Sequence, residues 1–398
     1  MRRTELLQEI RKMRFVEAYE GWQLKRLSQQ EAARLLGVCD RTLRRMIDRY
    51  EGAGAGEAGI EALLDRRLNQ VSHRRAPVDE VCKLVDLYRG RYAGWNVKHF
   101  YAWYRREHAG ERSYSWVKKQ LQAAQVVKKA PRRGAHRKRR ERAPLPGMMV
   151  HQDGSTHPWV PGCVWDLIVT MDDATGEHLS MFFVEEEGSA SSFRGAQEVI
   201  ERYGLFGSLY TDRGSHYWLT EQAGGKVDRE RPTQFGRAMR QLGIEMIAAY
   251  SPQARGRSER AFATHQQRLP RELARARIRT LQAANRYLEQ RYRPAFNAEF
   301  AVQAAEPGSA FVPFIGPELK EILCEHHERT VGADNCVRFE GLALQIPAQQ
   351  HRCHYVKAKV RVHRYTDASL ALFHGPRCLA RYDSRGQLQS NQPKELAA

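Results

Sequence analysis

The sequence lacks any apolar run approaching the ~18 residues of a membrane-spanning helix. Its first residues, Met-Arg-Arg-Thr-Glu, lack the apolar core of an export signal. Together these absences lead us to expect a chain that stays in the cytosol. Paired cysteines are missing too. The seven cysteines (Cys39, Cys82, Cys163, Cys324, Cys336, Cys353, Cys378) are odd in number and scattered, with no Cys-x-x-Cys, which argues against a disulfide framework and fits a reducing compartment. Cys324, His326, His327, Cys336, Cys353 and His354 crowd one region. They do not form ligand pairs on tight turns at the usual zinc spacing, so structural cysteines are the expectation there. Acid is scarce as well. Against 65 basic residues stand 46 acidic ones, for a net charge of +19 and a pI near 9.8, which implies a polyanionic partner and salt-sensitive attraction to phosphates.

What is present suffices for several cores: 398 residues, 42% of them hydrophobic, leave room for two to four domains. Residues 1–55 read as a helical head. A periodic helix from about Thr4 to Tyr19 precedes Ser28-Gln29-Gln30-Glu31, a capping-box signature opening a helix that buries Ala32, Ala33, Leu35 and Leu36. Gly37 ends it. Asp40 then caps a helix whose Leu43, Met46, Ile47 and Tyr50 share one face while Arg41, Arg44, Arg45 and Arg49 lie on others. This is the helix-turn-helix pattern, in which the second helix enters the DNA major groove, so Arg41, Arg44 and Arg45 are the base-reading candidates. A small helical bundle with a solvated arginine face is the alternative; the Gly37 turn and the overall charge weigh against it.

Glu51 to Gly59 is rich in glycine and alanine and reads as a flexible joint. Residues 77–129 form a second helical module. Pro77 suits a first turn, Val81, Leu84, Val85 and Tyr88 make one stripe, and Val97, Phe100, Tyr101 and Tyr104 another. A third helix from Ser113 or Ser115 buries Val117, Leu121 and Ala124 and exposes Lys118 and Lys119, further DNA-contact candidates. Trp95, Trp103, Tyr114 and Trp116 read as packing. Residues 130–147 are a basic linker carrying Arg137, Lys138, Arg139 and Arg140. It either tracks phosphates or serves as a solvated tether.

Three carboxylates stand out next: Asp153 in His-Gln-Asp-Gly-Ser, Asp212 in Tyr-Thr-Asp-Arg-Gly-Ser, and Glu259 in Ser-Pro-Gln-Ala-Arg-Gly-Arg-Ser-Glu-Arg. Met148 to Gln152 is expected as a strand ending at Asp153, and Ser208 to Thr211 as one ending at Asp212. Glu259 lies in the first turn of a helix that stops near Pro270. Strands over Val164 to Thr170 and His178 to Val184, a helix from Ser189, another from Thr233 and a strand over Ile244 to Ala249 complete a mixed sheet with helices on its faces. Acids at such places can converge on Mg²⁺, a hard ion that takes oxygen ligands. Alone, each acid reads as a turn former or a helix-dipole partner; the three together do not. Asp172, Asp173 and Glu185 to Glu187 are rivals, with Asp173 reading as turn chemistry and the glutamates as a solvated strand exit. His216 and Arg257 are candidates for contact with the phosphate or with metal-bound water. Residues 330–388 hold short strands, the clearest being Tyr355 to Arg364, where Val356, Ala358, Val360 and Val362 alternate with Lys357, Lys359, Arg361 and His363. A small β-barrel is expected, either gripping DNA with Lys357, Lys359 and Arg361 or serving as a structural or oligomerising element.

The acid-bearing phrases resemble the triad of the retroviral-integrase superfamily, and more closely the DDE-type transposases of bacterial insertion sequences, of the ISNCY-like group. The resemblance runs from about Met148 to Phe300. Its most specific part is Ser251 to Arg260, and Tyr292-Arg293-Pro294-Ala295-Phe296-Asn297 is similar to the segment that closes this domain in related transposases. The Asp212 to Glu259 spacing is longer than usual in the family, which places an inserted loop at Leu219 to Pro232. The resemblance implies a ribonuclease-H-like α/β core over residues 148–303, with Asp153, Asp212 and Glu259 as catalytic metal ligands for two Mg²⁺ ions and Mn²⁺ as a substitute. It also implies cleavage and strand transfer on double-stranded DNA, at element ends and target, by a homo-oligomer associated with the bacterial nucleoid. A catalytically inactive DNA-binding regulator and a plain nuclease remain open alternatives.

Overall fold

The computed structural model describes residues 3–64, 75–129, 141–220, 222, 225–250, 256–316, 318–349 and 352–389. The chain divides into two units, Met1–Leu84 and Val85–Ala398. In the first, α1 (Arg3–Gln23), α2 (Gln29–Leu36), α3 (Asp40–Gly52) and α4 (Gly56–Ala62) follow one another. Ser28 and Glu31 cap α2 reciprocally, and Gly37 ends it at φ +65°, where a glycine avoids Cβ strain. Phe15, Ala18, Tyr19, Ala32, Ala33, Leu43, Ile47 and Tyr50 form the core. Two expectations change. Cys39, not Asp40, precedes α3, and Asp40 instead sits in its first turn. The joint expected at Glu51 to Gly59 is a turn into α4: a Cβ on Gly59 would lie 2.7 Å from the Tyr50 carbonyl oxygen, so only glycine lets these helices close.

Three further helices follow: α5 (Val78–Arg91), α6 (Val97–Glu107) and α7 (Tyr114–Ala123). The side chains of Asn96 and Ser113 cap α6 and α7. Tyr88, Tyr92, Trp95 and Phe100 pack edge to face or tilted, with centroids 4.9–5.1 Å apart; of the aromatics read as packing, Trp103 meets Trp95 at 5.8 Å and Tyr114 meets Tyr101 at 5.6 Å.

The central sheet is built from β1 (Met149–Val160), β2 (Cys163–Asp172), β3 (His178–Val184), β4 (Ser208–Thr211) and a later strand, with α8 (Ser189–Tyr203) between β3 and β4. A small hairpin, β5 (Leu219–Thr220) and β6 (Val227–Asp228), occupies the expected inserted loop. Then come α9 (Gln234–Gln241), β7 (Glu245–Ala248), α10 (Gly256–Arg275), α11 (Leu281–Tyr287) and, through a π-helical turn at Leu288–Tyr292, α12 (Arg293–Phe300). The order is β3-β2-β1-β4-β7. The first three strands are antiparallel, while β4 runs parallel to β1 and β7 parallel to β4. Phe193, Val199, Ile200, Phe235 and Met239 bring α8 and α9 onto one face. Phe262, Leu269, Leu273, Leu288 and Phe296 bring α10 to α12 onto the other.

β1 runs well past Asp153, because its polar second half still pairs with β2. Likewise α10 continues through Pro270 to Arg275. Proline costs one backbone hydrogen bond and crowds the preceding turn; burial of Leu269 and Leu273 on the sheet offsets that. The outer edge of β3 is sealed by two asparagines. Asn285 bonds the N–H and C=O of Phe183 at 2.6 and 3.0 Å, and Asn297 those of His178 at 2.9 and 3.1 Å, so an open strand edge is covered.

Beneath α10 lies a buried histidine pair, with Nε2 of His178 2.9 Å from Nε2 of His265 and Nδ1 of His265 3.0 Å from the Tyr292 hydroxyl. Burial pushes His178 down to about 4 and His265 well below its ordinary value. Both are therefore neutral in the fold, whereas an unfolded chain protonates them near 6.5. Between these values the unfolded state binds more protons, so acid favours unfolding. We expect His178 alone to remove about 3 kcal/mol of stability as pH falls from about 6.5 to about 4. Urea titrations at pH 7, 5.5 and 4 check this; a flat profile would contradict it.

The C-terminal strands are β8 (Glu325–Thr330), β9 (Cys336–Phe339), β10 (Leu342–Gln345), β11 (Lys359–Arg364), β12 (Leu370–His374), β13 (Arg377–Tyr382) and β14 (Leu388–Gln389). They do not close into the expected barrel. One sheet has the order β14-β13-β12-β11-β8, and a separate ribbon pairs β10 with β9. The two-residue β14 is too short to close the sheet against β8. Val337, Phe339, Leu344, Val360, Val362, Leu372 and Leu379 fill the space between sheet and ribbon. β11 begins at Lys359, later than expected, because Lys357 turns the chain at φ +62°. Val360 and Val362 point inward as the alternation predicts, but His363 is buried too, since its end of β11 is covered on both faces.

Candidate active site

Asp153 lies on β1 and is 7% exposed. The parallel register pairs Met149 with Ser208, Val150 with Leu209 and His151 with Tyr210, so Asp153 and Asp212 each stand two residues beyond the last pair of these neighbouring strands. Asp212 follows β4 directly, where its Oδ1 accepts from the Gly214 amide at 2.8 Å. Both acids act on the same buried phenol. Tyr217 is pushed well above its ordinary value by burial first, then by the charge of Glu187, with Asp153 and Asp212 adding to it. Its hydroxyl donates to Gln152 Oε1 at 3.0 Å, and Gln152 Nε2 donates in turn to Thr170 Oγ1 at 3.1 Å. The residue before Asp153 is thus fixed from two sides.

Glu259 stands in the first turn of α10 and is exposed. Its neighbour Ser258 lines one small cleft together with Asp153, His151 and Phe262, and α10 is tied to β1 where Gln266 Nε2 donates to Ser155 Oγ at 3.0 Å. The phrase before it, Ser251 to Arg255, lies outside the described residues.

Two rival carboxylates take unexpected places. Glu187, read as part of a solvated strand exit, turns inward while Glu185 and Glu186 stay exposed. A Cβ on Gly154 would lie 2.1 Å from its Oε2, so the glycine after Asp153 makes room for this carboxylate. His216 Nε2 lies 3.5 Å from Glu187 Oε1. The only signal for this in the sequence is that Gly154 itself. Asp173, read as turn chemistry, is 0% exposed. Its Oδ1 accepts from His151 Nε2 at 2.6 Å and from Arg257, and its Oδ2 from the Ala143 amide at 2.8 Å. Burial alone would raise its carboxyl, but His151, that amide and Arg257 together hold it well below the ordinary range. Arg257, two residues before Glu259, therefore anchors the start of α10. Asp172 serves the turn, accepting from Gly147 and Thr175.

The expected DNA-contact residues are dispersed. Arg41, Arg44 and Arg45 are exposed on α3, and Lys118 and Lys119 on α7. Arg137, Lys138, Arg139 and Arg140 lie outside the described residues. Lys357, Lys359 and Arg361 are exposed, with Lys359 2.8 Å from Glu328 and Arg361 donating to the Gly375 carbonyl at 3.0 Å. The helical module at α6 rests on α10. His99 Nε2 meets Glu272 Oε1 at 2.6 Å, and Arg271 Nη2 donates to the Gly94 carbonyl at 2.8 Å. No helix among the described residues is long and apolar enough to cross a membrane.

Residues 6–64 match the profile of the homeodomain-like domain family. "Putative transposase y4bF" of Sinorhizobium fredii (strain NBRC 101917 / NGR234) is 28% identical over 357 residues, which is 87% of this chain and 75% of that protein. The transposase for insertion sequence IS1202 of Streptococcus pneumoniae is 31% identical over 223 residues. That match covers 56% of this chain and 47% of the relative, so the chain spans less than half of the second protein's length. Among solved structures, the simian T-cell lymphotropic virus intasome in complex with PP2A regulatory subunit B56 gamma aligns with a TM-score of 0.34 at 14% identity, over 70% of this chain and 91% of that one. The HTLV-2 integrase catalytic core domain in complex with magnesium, in its dimeric form, aligns with a TM-score of 0.28 at 18% identity, over 37% and 89%. With a homeodomain-like head and sequence kinship to both named proteins over more than half of its length, the chain is a homologue of transposases.

Proposed function

We propose that the protein recognises the ends of a mobile DNA element and cuts and joins DNA strands there, with Asp153, Asp212 and Glu259 as its catalytic acids. The observation that supports this reading is the shared register of β1 and β4, in which Asp153 and Asp212 each follow the last pair by two residues, with Ser258 of the first turn of α10 in one cleft with Asp153. The carboxylates of Glu187 and Asp212 bear together with Asp153 on the Tyr217 hydroxyl, and Glu187 lies against Gly154; oxygen donors of this kind fit a hard divalent cation. Asp153, Asp212 and Glu259 would hold two Mg²⁺ ions, replaceable by Mn²⁺, whose chemistry is to neutralise phosphate charge and favour the attacking and leaving oxygens. The protein's own part is positioning. Tyr217 and Gln152 hold the β1 acid in place, the Gly214 amide orients Asp212, and the Arg257–Asp173 pair fixes the turn that presents Glu259.

The division of labour follows the chain. Residues 1–55 and 77–129 bind element ends, with Arg41, Arg44, Arg45, Lys118 and Lys119 at the DNA. Residues 130–147 follow the phosphate backbone, 148–303 carry the chemistry, and the sheet within 330–388 offers Lys357, Lys359 and Arg361 to DNA. Holding two ends together calls for a homo-oligomer. The test is conversion of supercoiled plasmid carrying the gene's own flanking DNA, with Mg²⁺ or Mn²⁺. Nicked and joined products, dependent on the ion, support the proposal. Salt-sensitive binding without cleavage would replace it with a regulator that keeps the fold, and cleavage without joining with a nuclease.

A further inference from the structure

Away from the acids, the start of β8 and the end of β11 bring three metal-type side chains together. Cys324 precedes β8, His326 lies on it, and His363 of β11 pairs directly across from His326. One ligand atom from each, Cys324 Sγ and a ring nitrogen of either histidine, all lie within 4.8 Å of one another. The two imidazoles stack with centroids 3.9 Å apart. A second observation is independent of that proximity. His363 is 3% exposed, and its Nε2 is buried without a hydrogen-bond partner. Its other nitrogen, Nδ1, lies 3.0 Å from Glu321 Oε2. That carboxylate is itself fixed, accepting from the Tyr365 hydroxyl at 2.6 Å and from Arg381 Nη2 at 2.7 Å. A carboxylate on Nδ1 sets the tautomer that turns a lone pair out at Nε2, which is how histidine metal ligands are commonly oriented.

We propose that Cys324, His326 and His363 form a binding site for a zinc-type divalent cation, separate from the carboxylate site. A thiolate with two imidazoles suits zinc and disfavours magnesium, whose ligands are oxygens. Three protein ligands leave one tetrahedral position for a small fourth ligand such as water. On binding, the Cys324 thiol gives its proton to solvent and its sulfur bonds the cation as thiolate, with no change of oxidation state. The site ties the C-terminal sheet to the catalytic layer. Gln234 of α9 exchanges two 2.9 Å hydrogen bonds with the backbone of His326, and Arg237 of α9 donates to the carbonyls of Ile322 and Cys324. The expectation of purely structural cysteines therefore holds better for Cys336, which bonds Gln345, than for Cys324.

The test uses the untagged full chain, stripped with chelator and titrated with Zn²⁺ against a chromophoric competitor, then with Co²⁺ as a spectroscopic probe. We expect one tightly held Zn²⁺ per chain, a thiolate-to-cobalt charge-transfer band, and a rise in melting temperature with zinc. Cys324→Ser and His363→Gln should each lose the band and the rise, while Cys336→Ser keeps both. A wild-type cobalt spectrum without the charge-transfer band, or one unchanged in Cys324→Ser, overturns the proposal. If either variant fails to fold by circular dichroism, the wild-type spectrum and stoichiometry still decide. The double variant Asp212→Asn, Glu259→Gln should bind zinc as the wild type does, so loss of DNA cleavage and loss of zinc are separable.

Discussion

Asp212→Asn is expected to lower strand cleavage by on the order of 10³-fold or more while leaving binding to end DNA within a few-fold of wild type. Asparagine keeps the shape of the side chain and an oxygen that can still accept from the Gly214 amide, so the local backbone is undisturbed. What disappears is the charge that would hold a divalent cation between strands β1 and β4. Asp153→Asn and Glu259→Gln should do the same, each alone, because removing any one member breaks a set that acts as a unit. Binding is spared because the recognition helices stand elsewhere in the chain, and it should tighten slightly as negative charge leaves the neighbourhood of the phosphates. Plasmid nicking and gel-shift titration on the same preparations read both quantities. Wild-type nicking by any one purified variant removes that residue from the site.

The second large effect belongs to a residue away from the chemistry. Asp173→Ala is expected to cost about 3–5 kcal/mol of stability, since it leaves His151, Arg257 and the Ala143 amide without their common buried acceptor. In the wild type the depressed carboxyl contributes stability above its ordinary pKa, and that contribution is lost as pH falls through and below the carboxylate range. The variant should therefore lose much of the acid sensitivity that begins below about pH 4. Activity should fall further than unfolding explains, because Arg257 anchors the turn that carries Glu259. Urea unfolding at pH 7 measures the first effect, and cleavage at a temperature where the variant is fully folded measures the second. Wild-type unfolding of Asp173→Ala would show that the buried pair holds nothing together.

Elements that carry their own local signal are readable in the sequence. The capping box at Ser28, the stripe of α3 and the short buried run at Ser208–Thr211 each survive in the fold. Elements set by distant partners were not. The second half of β1 is polar and looks like a loop until β2 pairs with it. Pro270 looks like a stop until the sheet buries the leucines on either side of it. Glu187 looks solvated because the space it enters belongs to Gly154, more than thirty positions away. In the same way, Asp173 shows turn chemistry in sequence and an ion pair in space, with a partner on a helix that begins at Gly256. The open C-terminal sheet was misread because alternation reports which side of a strand is buried and says nothing about whether the outer strands meet.

Helix α10 carries Glu259 in its first turn and Glu272, the seat of His99, in its last. Twenty residues make a rod about 30 Å long. A load placed on α6 at one end of that rod is a torque on the acid at the other. The docked helix α6 is thus a handle on the first turn of α10, and the two ends of that rod work as one lever.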